Sequence, residues 1–196
     1  MNIKPKVLKG RHVRLEPVTP ELREEMRAAI DCDPTTWEIM PVNGCGEGFG
    51  DWFKALLAEQ ERGERIAFAI RRLSDKRVVG TSSYLNIDRK NYGLEIGWTF
   101  LHPDARSGPV NPEAKRLMLA NAFEAGAIRV QFSVDARNAR SQAAVLKLGA
   151  TEEGKLRNHK ITWTGHVRDT VVFSITDADW PAMRDRLDFR LQEAFA

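Results

Sequence analysis

One segment of the sequence combines residue types that suit the binding of a phosphate group. The strand-like run Leu94–Leu101 leads into a small-residue loop, and this loop contains Arg106–Gly108. Asn111–Glu113 then predicts the start of a helix, with an N-cap residue, a proline in the first turn and an acid. A helix start offers unpaired N–H groups and a partial positive charge, and Arg106 adds a permanent cation. The segment therefore predicts a phosphate or pyrophosphate site.

Other common binding motifs are absent from the sequence. No Gly-Lys-Ser/Thr follows the loop, so it is not a P-loop, and there is no G-x-G-x-x-G pattern. The two cysteines, Cys32 and Cys45, do not form a C-x-x-C pair, which leaves a disulfide as the less favoured alternative. The four histidines lack the spacing of metal ligands, so we predict no metal site.

The elements that must position the phosphate segment follow from hydrophobic periodicity. Strand patterns cover Leu8–Val18, Ile66–Ile70, Val78–Ile87, Leu94–Leu101, Ile128–Val134, Thr151–Thr162 and Val167–Thr176. Helix patterns cover Pro20–Ile30, a turn near Thr36–Met40, a segment containing Trp52–Leu57, Asn111–Ala125, a segment ended by Gly149 and one beginning at Asp179–Pro181.

This order of elements predicts an α/β fold with a mixed sheet. The three strands between residues 66 and 101 are joined by short turns, which favours an antiparallel meander. The strand–helix–strand segment from Leu94 to Asp135 needs a crossover, which predicts that its two strands are parallel neighbours. Because no repeat and no linker interrupts the chain, we expect a single domain over residues 1–196.

Composition excludes several classes of protein. The chain is 42% hydrophobic and 29% charged, as expected for a globular protein, and its net charge is only +3. Basic residues are interleaved with acids, which argues against a nucleic-acid partner. No apolar run approaches the roughly 20 residues of a membrane span, and the start of the sequence does not resemble a secretory signal. We therefore expect a cytoplasmic protein with no membrane partner.

Several short motifs, in a fixed order, resemble the GNAT superfamily of N-acetyltransferases. Arg106 stands at the first position of the family's coenzyme-binding pattern R/Q-x-x-G-x-G/A. The other matching motifs are Leu8-x-Gly10-x-x-Val13-x-Leu15, Glu95–Trp98, Asn138-x-x-Ser141, Lys147–Ala150, Glu153-Gly154 and Arg168-Asp169. The likeness spans nearly the whole chain. Within the superfamily, the sequence more specifically resembles the branch of RimJ/RimL-type ribosomal-protein N-terminal acetyltransferases.

The resemblance implies a fold and a cosubstrate. The implied GNAT-like fold has a central, mostly antiparallel sheet of about seven strands, with splayed parallel strands at its centre and helices on both faces. The backbone beyond the splay would pair with the pantetheine arm of acetyl-CoA as an added strand does. The implied coenzyme-binding residues are Thr99, Phe100, Leu101, Arg106, Ser107, Gly108, Val110, Asn111, Asn138 and Ser141.

Two positions depart from the coenzyme-binding pattern. Pro109 stands where the family has glycine, and Asn111 where it has glycine or alanine. Proline has no N–H, so one phosphate donor is missing. Gly108 adds flexibility to the turn, and Asn111 is expected to cap the helix. We expect coenzyme A to bind, more weakly than with the full set of donors.

Three residues are candidates for the chemistry of amine acetylation. By resemblance, Glu95 is the candidate base, and its alternative is a solvent-facing strand glutamate. A tyrosine acid is absent because Val145 occupies its position, so Ser141 is the candidate donor to the leaving thiolate; the alternative is a serine that satisfies a helix amide. His159 is a less favoured proton relay and more simply structural. Arg168 is expected in an ion-pair network rather than in catalysis.

The predicted function is transfer of an acetyl group from acetyl-CoA to a primary amine in a ternary complex. The acceptor is either a protein N-terminus or a small-molecule amine, because fold alone does not choose between them. The alternative is a GNAT-like acetyl-CoA sensor without catalysis, which Pro109 and the missing tyrosine favour. A structural protein that binds no coenzyme is the least favoured class. A homodimer through the helix after Trp180 stays open.

Overall fold

A computed structural model of the chain describes residues 1–193. The strands are β1 Leu8–Lys9, β2 Val13–Pro17, β3 Ile66–Arg72, β4 Val78–Asp88, β5 Gly93–Leu101, β6 Arg129–Asp135, β7 Thr151–Ile161 and β8 Val167–Thr176. The helices are α1 Arg23–Ile30, α2 Pro34–Trp37, α3 Gly48–Glu61, α4 Val110–Glu124, α5 Ala139–Leu148 and α6 Trp180–Glu193. Short 3-10 turns cover Pro20–Leu22 and Pro103–Ala105. None of the helices in this described part of the chain has the length and apolar character needed to cross a membrane.

The strands form one mixed sheet in the order β1-β2-β3-β4-β5-β6-β8-β7. Neighbours are antiparallel except for β5 and β6, which are parallel. The parallel pairing covers only Gly93–Glu95 against Arg129–Gln131, and the two strands separate beyond it. The predicted α/β fold, with its splayed central strands, is confirmed.

Residues 1–193 contain eight strands rather than the expected seven or so, because the first predicted strand is divided. Gly10 donates its N–H to Val13 O, and the turn lets β1 fold back on β2. The buried carboxylate of Glu113, in α4, accepts hydrogen bonds from the amides of Arg11, His12 and Val13 at 2.7–2.8 Å. The amides of Arg11 and His12 therefore have an acceptor although these residues belong to no strand, and the same carboxylate holds the start of β2 at Val13.

Helices pack on both faces of the sheet, each over its own apolar cluster. Side chains of α4, α5 and α6 share one cluster with alternate strand residues such as Phe68 and Ile70. Side chains of α1, α2 and α3 share the other with the intervening residues Ala67 and Ala69. This division follows from the two-residue period of a strand, and it places helices along both sides of the opening between β5 and β6.

Candidate active site

A groove of about 520 Å³ follows the gap where β5 and β6 separate. Its walls are the backbone of residues 96–101 in β5, residues 132–135 in β6, the amino end of α4 and the first turns of α5. Residues of α2 and the loop after it, Thr36, Ile39 and Met40, close one end. Beyond Glu95, β5 has no partner on the β6 side, so its backbone groups on that edge are free to pair with a ligand.

A β-bulge in β5 lies beside the opening. Thr81 pairs with Phe100 and Ser83 pairs with Gly97, so that Ser82 stands opposite two residues, Trp98 and Thr99. Trp98 adopts a positive φ of 50°. The extra residue reverses the alternation of the strand: Ile96 packs in the cluster under α4, whereas Trp98 and Phe100 pack on the opposite face.

The amino end of α4 faces the groove without a side-chain cap. Pro109 is the N-cap residue and makes no cap hydrogen bond, so the predicted cap role of Asn111 is wrong: Asn111 is the second helical residue. The N–H groups of Val110 and Asn111 cannot find a partner within the helix because they lie in its first turn. Ser107, rather than Gly108, supplies the left-handed conformation of the turn, with a φ of 63°. The helix start is therefore available to an anion.

Arg106 holds the turn before α4 in place. Its Nε donates to Leu101 O at 2.9 Å, and its guanidinium lies 2.7 Å from the carboxylate of Asp33. A hydrogen bond from Thr35, followed by the contact with Arg106, lowers the pKa of Asp33 well below its ordinary value. The arginine lines the groove, but it is already paired, which favours a role in shaping the turn as well as in attracting an anion.

Basic side chains outnumber acidic ones in the lining of the groove. Six basic side chains line it, against one acid, Asp135. The basic residues are Arg106, Lys115, Arg140, Lys147, Arg168 and Arg190. Burial alone would raise the pKa of Asp135, but hydrogen bonds from Arg137 and the charge of Arg168 hold it below its ordinary value. The groove thus suits a ligand with several negative charges.

The predicted coenzyme-binding residues converge on this groove, with one exception. Those that line it are Thr99, Phe100, Leu101, Arg106, Ser107, Gly108, Asn111, Asn138 and Ser141. The side chain of Val110 instead belongs to the apolar cluster under α4. Asn138 caps α5, because its Oδ1 accepts from Ser141 N at 3.0 Å. The hydroxyl of Ser141 makes no hydrogen bond within residues 1–193 and lies in the groove wall.

The three predicted catalytic residues are not brought together. The Glu95 carboxylate accepts from Asn86 Nδ2 at 2.9 Å and lies beside Gly97, at the edge of the groove. His159 is exposed on β7 and does not line the groove. Of the three, only Ser141 is a lining residue, so the roles of Glu95 and His159 remain predictions from resemblance.

The positions of two residues at the groove, Lys115 and Arg168, were not predicted from the sequence. Lys115, in α4, is only 5% exposed, and burial lowers its pKa to about 7. Arg168 is buried in β8, where it donates to Thr170 Oγ1 at 3.0 Å and lies 3.9 Å from Asp135. The ion-pair expectation for Arg168 is met through Asp135 and not through Asp169, which approaches Lys155. Sequence gives no signal that either residue lies at the groove, because both placements depend on packing between distant segments.

Comparison with known proteins identifies the class to which this fold and groove belong. The family model described as the acetyltransferase (GNAT) domain matches residues 12–151. The chain therefore belongs to the GNAT acetyltransferase family and is an acyltransferase, as the resemblance predicted. No curated protein matches the chain in sequence.

Solved structures share the fold over almost the whole chain. A Thermus thermophilus protein, provisionally named an acetyltransferase, is 37% identical, with a TM-score of 0.86 over 97% of this chain and 100% of that one. A GCN5-related N-acetyltransferase from Brucella melitensis is 26% identical, with a TM-score of 0.87 over 98% and 88% of the two chains. Mycobacterium smegmatis RimJ, solved in complex with CoA-disulfide, is 22% identical, with a TM-score of 0.81 over 94% of each chain. At that identity, RimJ shows a common fold only.

Proposed function

We propose that the chain transfers the acetyl group of acetyl-CoA to a primary amine by direct attack in a ternary complex. The observation that carries this proposal is the cationic groove that leads from the uncapped amino end of α4 into the gap between β5 and β6. The first part suits a diphosphate and the second suits an extended amide-containing arm. GNAT acetyltransferases use acetyl-CoA, which fits both features.

Different groups of the chain act on the amine, the oxyanion and the leaving thiolate. Glu95, directly or through a water molecule, accepts a proton from the acceptor ammonium, and the neutral amine then forms the new C–N bond. Free N–H groups of β5 beyond Glu95 stabilise the oxyanion of the tetrahedral intermediate. The C–S bond breaks as this intermediate collapses, and the Ser141 hydroxyl donates a hydrogen bond to the departing thiolate. The second proton that the attacking nitrogen loses protonates this thiolate, which leaves as the free thiol of coenzyme A.

The acceptor is an amine on a protein N-terminus or on a small molecule. Acetyl-CoA-dependent thiol release would be measured with ribosomal-protein N-terminal peptides, aminoglycosides and polyamines. Release of thiol above the hydrolysis rate with any of these supports transfer and identifies the acceptor class. Binding of coenzyme A without turnover on any amine contradicts the transfer proposal and favours the sensor.

The sensor is the second candidate function, and specific features favour it. Pro109 removes one phosphate donor, Val145 replaces a tyrosine acid, and Glu95 lies at the edge of the groove rather than in its wall. Both candidate functions predict that the chain binds coenzyme A, which isothermal titration measures. No heat at millimolar ligand would contradict both, since each requires a bound coenzyme.

Substitution of Glu95 tests the proposed base. Glu95→Gln keeps the size of the side chain and its contact with Asn86 but removes the proton acceptor. We expect turnover at saturating acetyl-CoA to fall about 100-fold, in the range that general-base catalysis contributes, while coenzyme affinity stays the same. Glu61→Gln, on the exposed side of α3, is the matched control. Unchanged turnover of Glu95→Gln across pH would remove Glu95 from the mechanism.

We also propose that the partners of the chain are acetyl-CoA and the amine, that the protein is cytoplasmic, and that the chain is one domain. The single domain is consistent with the sheet, because its strands run without interruption from β1 to β7 across residues 1–193.

A further inference from the structure

Lys115 is a buried base whose nitrogen is surrounded by neutral partners. The Nζ atom donates to Ser82 Oγ at 2.8 Å and to Thr99 Oγ1 at 2.5 Å, and the two hydroxyls are themselves 2.9 Å apart. Burial is the one cause of its lowered pKa, so no acid of residues 1–193 compensates for its charge. Buried lysines in proteins are normally paired with a carboxylate, so this arrangement calls for an explanation.

The three groups meet at the bulge of β5. Ser82 is the β4 residue that faces both Trp98 and Thr99, and Thr99 is the second residue of the bulge. Lys115 comes from α4, one helical turn after Asn111, and lines the groove together with Thr99. One side chain therefore connects the helix that begins at the anion site with both strands at the place where β5 changes its alternation.

We propose that Lys115 is a positioning residue that fixes the β5 bulge, through Ser82 and Thr99, in the geometry in which the free backbone edge of β5 binds the pantetheine arm. This inference rests on the proposed function, because it assumes that coenzyme A occupies the groove. Lys115 acts through Thr99 and is not assigned a direct contact with the reacting atoms.

The chemistry of the cluster explains why an amine performs this role. A hydroxyl pair alone provides one side-chain hydrogen bond between β4 and β5. Without the amine, α4 makes no hydrogen bond to this pair, although it still contacts β4 further along through Tyr84 and Met118. The amine donates to both hydroxyls and uses at least two N–H groups in either protonation state. A methionine fills nearly the same volume and avoids the cost of burying a base, so a lysine that served only to pack the core could be replaced without loss of stability.

The test compares coenzyme binding with stability in matched variants. Lys115→Met removes the donor and keeps the length of the side chain, and Lys54→Met, on the exposed face of α3, is the control. We expect Lys115→Met to raise the Kd of coenzyme A and the KM for acetyl-CoA about tenfold, the effect of roughly 1.4 kcal/mol. The thermal midpoint should be unchanged or higher, and kcat should fall less than threefold.

A second pair of variants reports on the same cluster from β5, in case Lys115→Met does not fold. Thr99→Val removes the hydroxyl and keeps the shape, whereas Thr99→Ser retains the hydroxyl. We expect Thr99→Val to weaken coenzyme binding about as much as Lys115→Met, and Thr99→Ser to recover at least half of that loss in free energy.

The outcomes separate this inference from the proposed function. If the wild-type protein does not bind coenzyme A, the proposed function fails and the inference fails with it. If the wild type binds and Lys115→Met binds within twofold of it, the inference alone is overturned. A loss of affinity in Lys115→Met that accompanies an equal loss of stability also overturns it, because a purely structural role predicts that pattern.

Discussion

At the scale of single residues, Lys115 links stability to pH. Its pKa is about 7 in the folded chain and 10.5 when the side chain is free in water. Between these values the unfolded chain holds a proton that the folded chain has released, so the free energy of unfolding rises with pH across this window. Below pH 7 the lysine is protonated in both the folded and the unfolded chain, so the full cost of burying its charge remains. At roughly 1.4 kcal/mol per pKa unit, this cost has an upper bound of about 5 kcal/mol.

The stability of the wild type and that of Lys115→Met should therefore depend differently on pH. Urea unfolding at pH 7, 8.5 and 10 should show the wild type gaining stability relative to the variant as the pH rises, by a few kcal/mol in total. Lys54→Met should follow the wild type at each pH, since its ammonium is exposed. Parallel curves for wild type and Lys115→Met would show that the lysine titrates normally in the folded protein.

Glu113 is a second buried ionisable residue, and it binds backbone amides rather than side-chain hydroxyls. Its carboxylate accepts three backbone N–H groups from the turn between β1 and β2. Glu113→Gln replaces one acceptor oxygen with a donor and removes the charge, so we expect a loss of about 2–3 kcal/mol in the free energy of unfolding. Glu124→Gln, on the exposed side of the same helix, should change it by less than about 0.5 kcal/mol. Equal effects of both substitutions in denaturant unfolding would contradict this account.

Glu113 and Lys115 also mark the limit of sequence reasoning about residues. The sequence places Glu113 at a helix start, where an acid is expected, but its partners lie about 100 positions earlier in the chain. Lys115 is one of many lysines, and nothing local shows that β4 and β5 cover it. The groove-lining residues from Thr99 to Ser141 were predictable because the resemblance supplied their arrangement, and the residues that hold them in place were not.

At the scale of elements, the pairing of β4 with β5 depends on Gly80. A Cβ atom at this position would lie 2.2 Å from Phe100 O, in the backbone of the neighbouring strand. Gly80→Ala must therefore separate the two strands next to the bulge. We expect a loss of about 3 kcal/mol or more in stability, of the size typical for severe steric conflict in a packed core, together with weaker coenzyme binding.

A second glycine provides the control for this prediction. Gly50 lies in α3, and a Cβ atom there would meet no atom within 4 Å. Gly50→Ala should stabilise the protein by about 0.5–1 kcal/mol, because alanine favours the helix and restricts the unfolded chain. Thermal unfolding of the two variants measures whether each substitution stabilises or destabilises the protein. Tolerance of Gly80→Ala would contradict the close approach of the two strands, and destabilisation by Gly50→Ala would contradict the open space around that helical position.

The order of the elements could be predicted from the sequence, whereas their irregularities could not. Periodicity gave the strands and helices in their observed order, and Gly149 ends α5 in a left-handed conformation as its residue type indicates. The bulge was missed because Gly97 and Trp98 read as an uninterrupted strand. The division of the first strand was missed because it depends on Glu113, which lies on another element.

At the scale of the whole molecule, the two parts of the sheet are joined by a short parallel pairing between β5 and β6. Five strands, β1 to β5, lie on one side of the parallel junction, and β6, β8 and β7 lie on the other. The junction itself pairs only three residues of each strand. Across the groove, Trp163 Nε1, from the turn between β7 and β8, donates to Trp37 O at the end of α2, at 2.8 Å. A ligand in the groove would add contacts between the two sides.

We propose that the two sides nevertheless unfold as one unit. The cluster under α4, α5 and α6 takes side chains from both sides of the junction, such as Phe68 and Phe132. Strands β3 to β5 contribute side chains to both apolar clusters, so neither cluster survives the loss of the other. Hydrogen exchange in low denaturant should therefore give the same opening free energy for the slowest amides of α3, which packs on one face, and of α6, which packs on the other.

If coenzyme A binds in the groove as proposed, it should raise the opening free energies of both helices together, although the groove lies outside the core of either helix. At a ligand concentration 100 times the Kd, binding to the folded state alone adds about 2.7 kcal/mol to global unfolding. The slowest amides of α3 and α6 should each gain this amount, as measured by hydrogen exchange with mass spectrometry. A gain in α6 without a gain in α3 would divide the chain into two units, because only a segment that unfolds together with the binding site shares the free energy of binding.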